Sequence, residues 1–114
     1  MSLLKFDEAP YEVVNDRLKR KLIYTDNMMM VLVDFSGGPW PEQDPLHHHL
    51  HEQITLVVEG ELIFYRDGEE DQILKPGDMI AIPSNQKHAV KLLSNIARLI
   101  DTFTPVREDF LRTD

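Results

Sequence analysis

Apolar residues in this chain come in short runs, and each run is stopped by glycine, proline or asparagine. Leu18 to Tyr24, Met28 to Phe35, Ile54 to Val58, Leu62 to Arg66 and Gln72 to Leu74 are such runs. Met79 to Ile82, His88 to Leu93 and Ala97 to Phe103 continue the pattern. Between them stand Ser36-Gly37-Gly38-Pro39, Glu59-Gly60, Asp67-Gly68, Pro76-Gly77-Asp78 and Pro83-Ser84-Asn85. Turn signals at about 8–12-residue spacing leave no room for long helices and predict short antiparallel strands. The expected fold class is all-β, a single-domain antiparallel barrel or jelly roll. A short C-terminal helix is expected over Pro105 to Leu111, with proline in its first turn. At 114 residues, one domain over 1–114 is the natural division.

Charge and composition narrow the function classes. The formal net charge is −8, with acidic residues spread along the chain, so no basic patch offers itself to nucleic acid. There is no cysteine, which removes disulfides and thiolate metal sites together. No apolar run approaches a membrane span, so no membrane partner is expected. The N-terminal MSLLKFDEAPYEVV lacks a basic segment followed by an apolar one, so it does not read as a signal peptide. A cytoplasmic location is the default expectation.

One stretch departs from the apolar runs. His47-His48-His49-Leu50-His51-Glu52-Gln53 holds four of the five histidines; the fifth is His88. If this stretch is an extended strand, side chains alternate, and His47, His49, His51 and Gln53 share one face. His48, Leu50 and Glu52 take the other. Three imidazoles pack poorly in an apolar core, where each ring nitrogen needs a partner. They are good ligands for a borderline divalent ion. A solvated strand end rich in histidine is the bland alternative. A bulge would bring Glu52 round in place of Gln53.

The spacing around these residues resembles the two metal motifs of the cupin family. In 38–60, Gly38 leads to His47 and His49, then three residues, Gln53, six residues and Gly60. In 77–92, five residues separate Gly77 from Pro83; one more separates Asn85, and two more His88. The Gly38-to-His47 gap is longer than usual. Asn85 replaces a glycine but tolerates the same left-handed backbone, and Leu92 replaces the final asparagine. The resemblance implies a cupin fold and one divalent transition metal (Zn, Mn, Fe, Ni or Co) held by His47, His49, Gln53 and His88. Gln53 stands where most cupins carry glutamate. An all-neutral ligand set leaves the ion's full charge to attract an anionic substrate.

The C-terminal segment adds a second pattern. Leu99, Asp101 and Phe103 share a face by alternation, and a carboxylate among apolar residues is costly unless paired. Arg107 follows just beyond Pro105. Asp-x-Phe-x-Pro-x-Arg, read with the histidine stretch, resembles a group of small cupins that act in pectin and alginate breakdown. That group opens the ring of 4,5-unsaturated monouronates to linear keto products. The resemblance implies catalytic roles for Asp101 and Arg107 and a small anionic substrate. Phe103 is a substrate contact or core. His51 is a pocket group or a plain strand-end histidine. Trp40 flanks the pocket mouth or covers a dimer surface. Met28-Met29-Met30 reads as buried strand or interface, and Lys19-Arg20-Lys21 as a solvated edge. Small cupins are commonly dimers, which makes a homodimer the expected assembly. Two other functions fit the motifs: a non-haem iron dioxygenase, and a non-catalytic sugar- or metabolite-binding cupin.

Overall fold

The computed structural model describes residues 3–111. Nine strands are formed there: β1 Glu12–Asn15, β2 Leu18–Tyr24, β3 Met29–Phe35, β4 Glu52–Glu59 and β5 Leu62–Arg66 come first. β6 Gln72–Leu74, β7 Met79–Ile82, β8 His88–Leu92 and β9 Ala97–Thr104 follow. A six-stranded sheet runs β1-β2-β3-β9-β4-β7, and a three-stranded sheet runs β6-β5-β8. Every strand pair is antiparallel.

No strand pairing among the described residues joins the two sheets, so the expected barrel is not closed. One apolar cluster fills the space between them instead. Val31, Val33, Val57 and Leu99 enter it from the large sheet, and Leu62, Phe64 and Leu92 from the small one. Burial of each such side chain is worth about 1.5–3 kcal/mol. The pattern on β3 alternates strictly, with Met29, Val31, Val33 and Phe35 buried and Met30 exposed. Gly60 turns β4 into β5 with φ +87°, and a Cβ there would lie 2.4 Å from the Ile96 carbonyl oxygen. Only glycine meets both demands.

Several expectations are corrected. The C-terminal helix is only a 3-10 turn over Glu108–Leu111: its apolar residues Phe110 and Leu111 are adjacent, pack against the core and do not repeat at the spacing a longer amphipathic helix needs. His47 to His51 is not a strand: His47 makes one isolated bridge to His88, and the chain bends at Leu50 and His51 before β4 begins. The Lys19-Arg20-Lys21 triplet is not a solvated edge. Only Lys19 is exposed; Lys21 is buried on one face of β2, and Arg20 faces inward opposite Val33. β1 carried no sequence signal, since all four of its residues are exposed.

The segment from Ser36 to His51 runs along the free edge of β8. Trp40 N donates to the Leu92 carbonyl (2.9 Å), Asp44 N to that of Val90 (3.2 Å) and His47 N to that of His88 (3.0 Å). Those are alternate residues of β8, so the segment satisfies the outward carbonyls that an edge strand leaves bare. Trp40 anchors it. The indole is buried at an edge-on angle to Phe35 and donates Nε1–H to the Ser36 carbonyl (3.0 Å). It therefore lies in the core, away from both pocket mouth and exposed surface.

Candidate metal centre

His47 and His88 are held together by their backbones. His47 N donates to His88 O at 3.0 Å, and His88 N donates back to His47 O at 2.8 Å. The turn after β7 fixes the next histidine: Asn85 takes φ +65° and donates its N–H to the His49 carbonyl at 2.7 Å. The left-handed backbone that the sequence led us to expect at Asn85 is present, and it has this use. His47, His49 and His88 consequently offer ring nitrogens that all lie within 4.8 Å of one another.

Each of the three rings is tied to a main-chain carbonyl. His49 Nδ1–H donates to His51 O (2.8 Å) and His88 Nδ1–H to Gln86 O (2.8 Å). His47 hydrogen-bonds the carbonyl of Pro45. Such outer bonds fix ring orientation and tautomer and leave the second nitrogen's lone pair available to a metal. Burial pushes His88 down to about 4, against the bond to Gln86 that favours its charged form. Burial also lowers His47 and His49. All three are neutral at pH 7, the state a metal requires.

Gln53 completes the geometry. It is buried on the inner face of β4, whereas Glu52 is exposed on the outer face, so no bulge exchanges them here. Its amide nitrogen donates to Thr55 Oγ1 (2.8 Å), and Thr55 Oγ1–H donates to Asp101 Oδ1 (2.6 Å). An ionised Asp101 accepts only, so this chain sets the amide direction. Gln53 Oε1 then faces His49 Nε2 at 3.1 Å. With His49 Nδ1 carrying the proton, two lone pairs point at each other, a contact that a cation between them would relieve. The donor set, its neutrality and this facing pair fit a divalent transition ion.

Asp101 lies directly opposite Thr55 on β4 and Val31 on β3 and is half-buried where it lines the cavity. Burial pushes its carboxyl up to about 6, against the hydrogen bonds from Thr55 and Gln53 and the charge of Arg107. A cavity of about 170 Å³ brings His47, Gln53, His88, Asp101, Phe103 and Arg107 together. Phe103 is buried, with its ring edge-on to His49 (5.6 Å) and Phe110 (5.6 Å). Arg107 forks onto Asp109, with Nε at 3.3 Å from Oδ1 and Nη2 at 2.7 Å from Oδ2.

The remaining candidates are placed elsewhere. His51 stands beside His49 (ring centroids 5.9 Å) but outside the three-histidine cluster, and its own Nδ1 is buried without a partner among the described residues. Trp40 is not brought to the cavity. Two cavity-related residues escaped sequence reasoning. Thr55 looked like an ordinary β-strand threonine, and its parity with Gln53 was the available signal. Arg20 was hidden in a run of cations; its parity with Leu18 and Leu22 was the signal there.

Comparison with known proteins agrees with the geometry. Residues 39–103 match the family described as "Cupin domain". The chain is 42% identical over 106 residues to the pectin degradation protein KdgF of Dickeya dadantii, covering 92% of this chain and 94% of that one. The structure of KdgF from Halomonas sp. superposes with a TM-score of 0.85 at 32% identity, covering 96% of this chain and 99% of that one. Quercetin 2,3-dioxygenase of Bacillus subtilis is 32% identical over 91 residues, which is 78% of this chain but only 26% of that enzyme. The chain belongs to the cupin family, in the company of KdgF.

Proposed function

We propose that this cupin is a metal-dependent, non-redox enzyme that opens the ring of 4,5-unsaturated monouronates released from pectin or alginate. The observation that carries the reading is the line from the His49–Gln53 facing pair through the hydrogen bonds of Gln53 to Thr55 and of Thr55 to Asp101, which ties one carboxylate to the candidate metal ligands. The likeness to KdgF over nearly the whole chain supports it. The cavity volume, about 170 Å³, is below the ~300–1,000 Å³ of pockets for drug-sized ligands and suits one sugar ring.

In this reading a divalent ion (Zn, Mn, Fe, Ni or Co) is held by His47, His49, Gln53 and His88, and supplies Lewis-acid polarisation of a substrate oxygen. The reaction is an isomerisation. The bond between the anomeric carbon and the ring oxygen breaks, and the anomeric hydroxyl loses its proton to give an aldehyde. The enol that remains takes a proton on carbon and becomes a ketone. One proton moves from oxygen to carbon, and no oxidant is needed. Asp101, raised to about 6, is largely ionised at pH 7 and receives that proton readily. Once protonated, it is acidic enough to return it to carbon. Such acid–base assistance is worth about 10²–10⁴-fold. Arg107 adds positive charge beside Asp101, and Phe103 provides the apolar wall against which the ring rests.

The proposed assembly is a homodimer through the outer face of the large sheet, where Met30, Ile54 and Met79 are exposed. Ile54→Glu should shift the solution mass to a monomer. The catalytic test is a paired assay. Protein stripped and reloaded with each metal is mixed with unsaturated galacturonate while ultraviolet absorbance and dissolved oxygen are followed. Metal-dependent loss of the double-bond absorbance without oxygen uptake is expected. A three-histidine set also serves oxygen-using cupins, so oxygen uptake with iron would replace this reading with a dioxygenase. Unchanged absorbance with every metal would remove the ring-opening substrate.

A further inference from the structure

We propose that Arg20 reads the carboxylate of the substrate, taking it in exchange for Glu12. The inference rests on the uronate reading above, whose site it extends from the metal ligands to the far wall of the same cavity.

Strand register puts Arg20 there. Cross-strand partners point to the same side of a sheet, and Arg20 pairs with Val33, whose side chain is buried in the interior. Arg20 lines the cavity that also holds His47, His88 and Asp101. The side chain is only 13% exposed. An inward-facing cation costs stability unless its donors are satisfied, and those of Arg20 are incompletely satisfied. Nη2 donates to Glu12 Oε1 at 2.7 Å, while Nε is buried with no partner among the described residues. Nε and Nη2 form the two-pronged edge that matches a carboxylate. Glu12 fills one prong and leaves the other empty.

Arg107 differs. Both prongs of its edge are already engaged by Asp109. The two arginines meet on Phe110, with guanidinium carbons 3.9 Å (Arg20) and 4.2 Å (Arg107) from its ring centroid. Two guanidinium groups that close cannot share one face of a ring, so Phe110 is sandwiched between them. Stacking of this kind holds a guanidinium plane in place without consuming its in-plane donors. Arg20 is thus oriented by Phe110, only half paired, and held by a carboxylate that is itself 49% exposed. Water readily solvates Glu12 when it leaves. A substrate carboxylate entering the cavity gains two parallel charge-assisted bonds where Glu12 makes one.

The experiment uses full-length protein with its metal content matched across wild type, Arg20→Gln, Arg20→Lys and Glu12→Gln. Binding of galacturonate and of galactose, which lacks the carboxylate, is measured by calorimetry. Turnover of 4,5-unsaturated galacturonate is measured alongside, and thermal unfolding checks folding. Wild type should prefer galacturonate by about tenfold or more, the scale of a bidentate charged pair. Arg20→Gln should lose that preference, with KM raised and kcat nearly kept. Arg20→Lys should keep part of the preference, and Glu12→Gln should bind galacturonate more tightly. A folded Arg20→Gln protein with undiminished preference overturns the proposal, as does unchanged galacturonate affinity in Glu12→Gln. Failure of the two readings is separable. An Arg20-dependent preference without wild-type turnover supports the anchor and rejects ring opening. Wild-type turnover with unaltered KM in Arg20→Gln rejects the anchor and leaves ring opening standing.

Discussion

The two walls of the cavity are built by opposite means. On the histidine wall every imidazole is neutral and is tied to main chain: His47, His49 and His88 bond carbonyls of Pro45, His51 and Gln86. On the arginine wall both groups are charged and are held by side chains that are half exposed, Glu12 for Arg20 and Asp109 for Arg107. Main-chain partners cannot leave without rearranging the backbone that carries them. Side-chain carboxylates at the surface can, since water solvates Glu12 and Asp109 when they swing away. In the proposed function this difference lets one small cavity separate two needs. Metal coordination requires donors fixed to a fraction of an ångström, whereas admitting an anion requires a partner that yields.

The contrast can be broken most severely on the fixed wall. His88→Ala removes a ligand, a buried ring and its stacking on Phe64 (centroids 6.1 Å apart) at once. Bound metal by elemental analysis and the proposed ring-opening activity should both fall to background. Asp101→Asn should lower turnover by about 10²–10⁴-fold while metal content by the same analysis stays near wild type. Thr55→Val removes the hydroxyl that sets the direction of Gln53. Metal affinity in a chelator competition should weaken by about 10–100-fold, the usual cost of an outer-sphere partner, with little change in fold.

The smallest effect sharpens the comparison through pH. In metal-free protein His88 sits at about 4 when folded against an ordinary 6.5. Between those values the unfolded chain binds more protons, so the stability due to neutral His88 is lost as pH falls from about 6.5 to about 4. Asp101 runs the other way. Its folded value of about 6 exceeds the ordinary 3.8, so the native state binds the extra proton and gains relative stability as pH falls through that window. The two partly cancel. Urea midpoints measured from neutral to acid pH should therefore drop more steeply in Asp101→Asn than in wild type. Parallel curves would show that Asp101 does not titrate as its burial implies.

Much of this architecture was legible in the chain. Strands β2 to β9 lie where apolar runs end at turn residues, because those residues must enclose a core with one face. Glu12 to Asn15 escaped, since a strand exposed on both faces leaves no period to read. Alternation grouped His47, His49 and Gln53 correctly, although the segment holding the two histidines is a bent loop and not a strand. Pairing with His88 and the carbonyl contact to Asn85 do the work there, and both depend on residues distant in sequence. His51 was grouped by the same parity and falls outside the cluster because the chain bends at that point. On the arginine wall Arg107 was read from its place after Pro105, and Arg20 was missed for another reason. A cation next to two other cations looks solvated until strand pairing shows which of the three turns inward.

The segment that carries the histidines also guards a border. β8 is the outermost strand of the small sheet, and its carbonyls at His88, Val90 and Leu92 would otherwise offer another chain a template to pair with. Unprotected edges of this kind seed aggregation, and natural proteins cover them. Here the cover spans Trp40 to His47 and includes three prolines, Pro39, Pro41 and Pro45, in or beside it. Proline has no N–H, so the cover spends its few donors on β8 and presents little outward for a further strand to join. Ligand delivery and colloidal stability are therefore vested in one stretch of backbone, and a substitution that frees this loop from β8 endangers solubility as well as the metal centre.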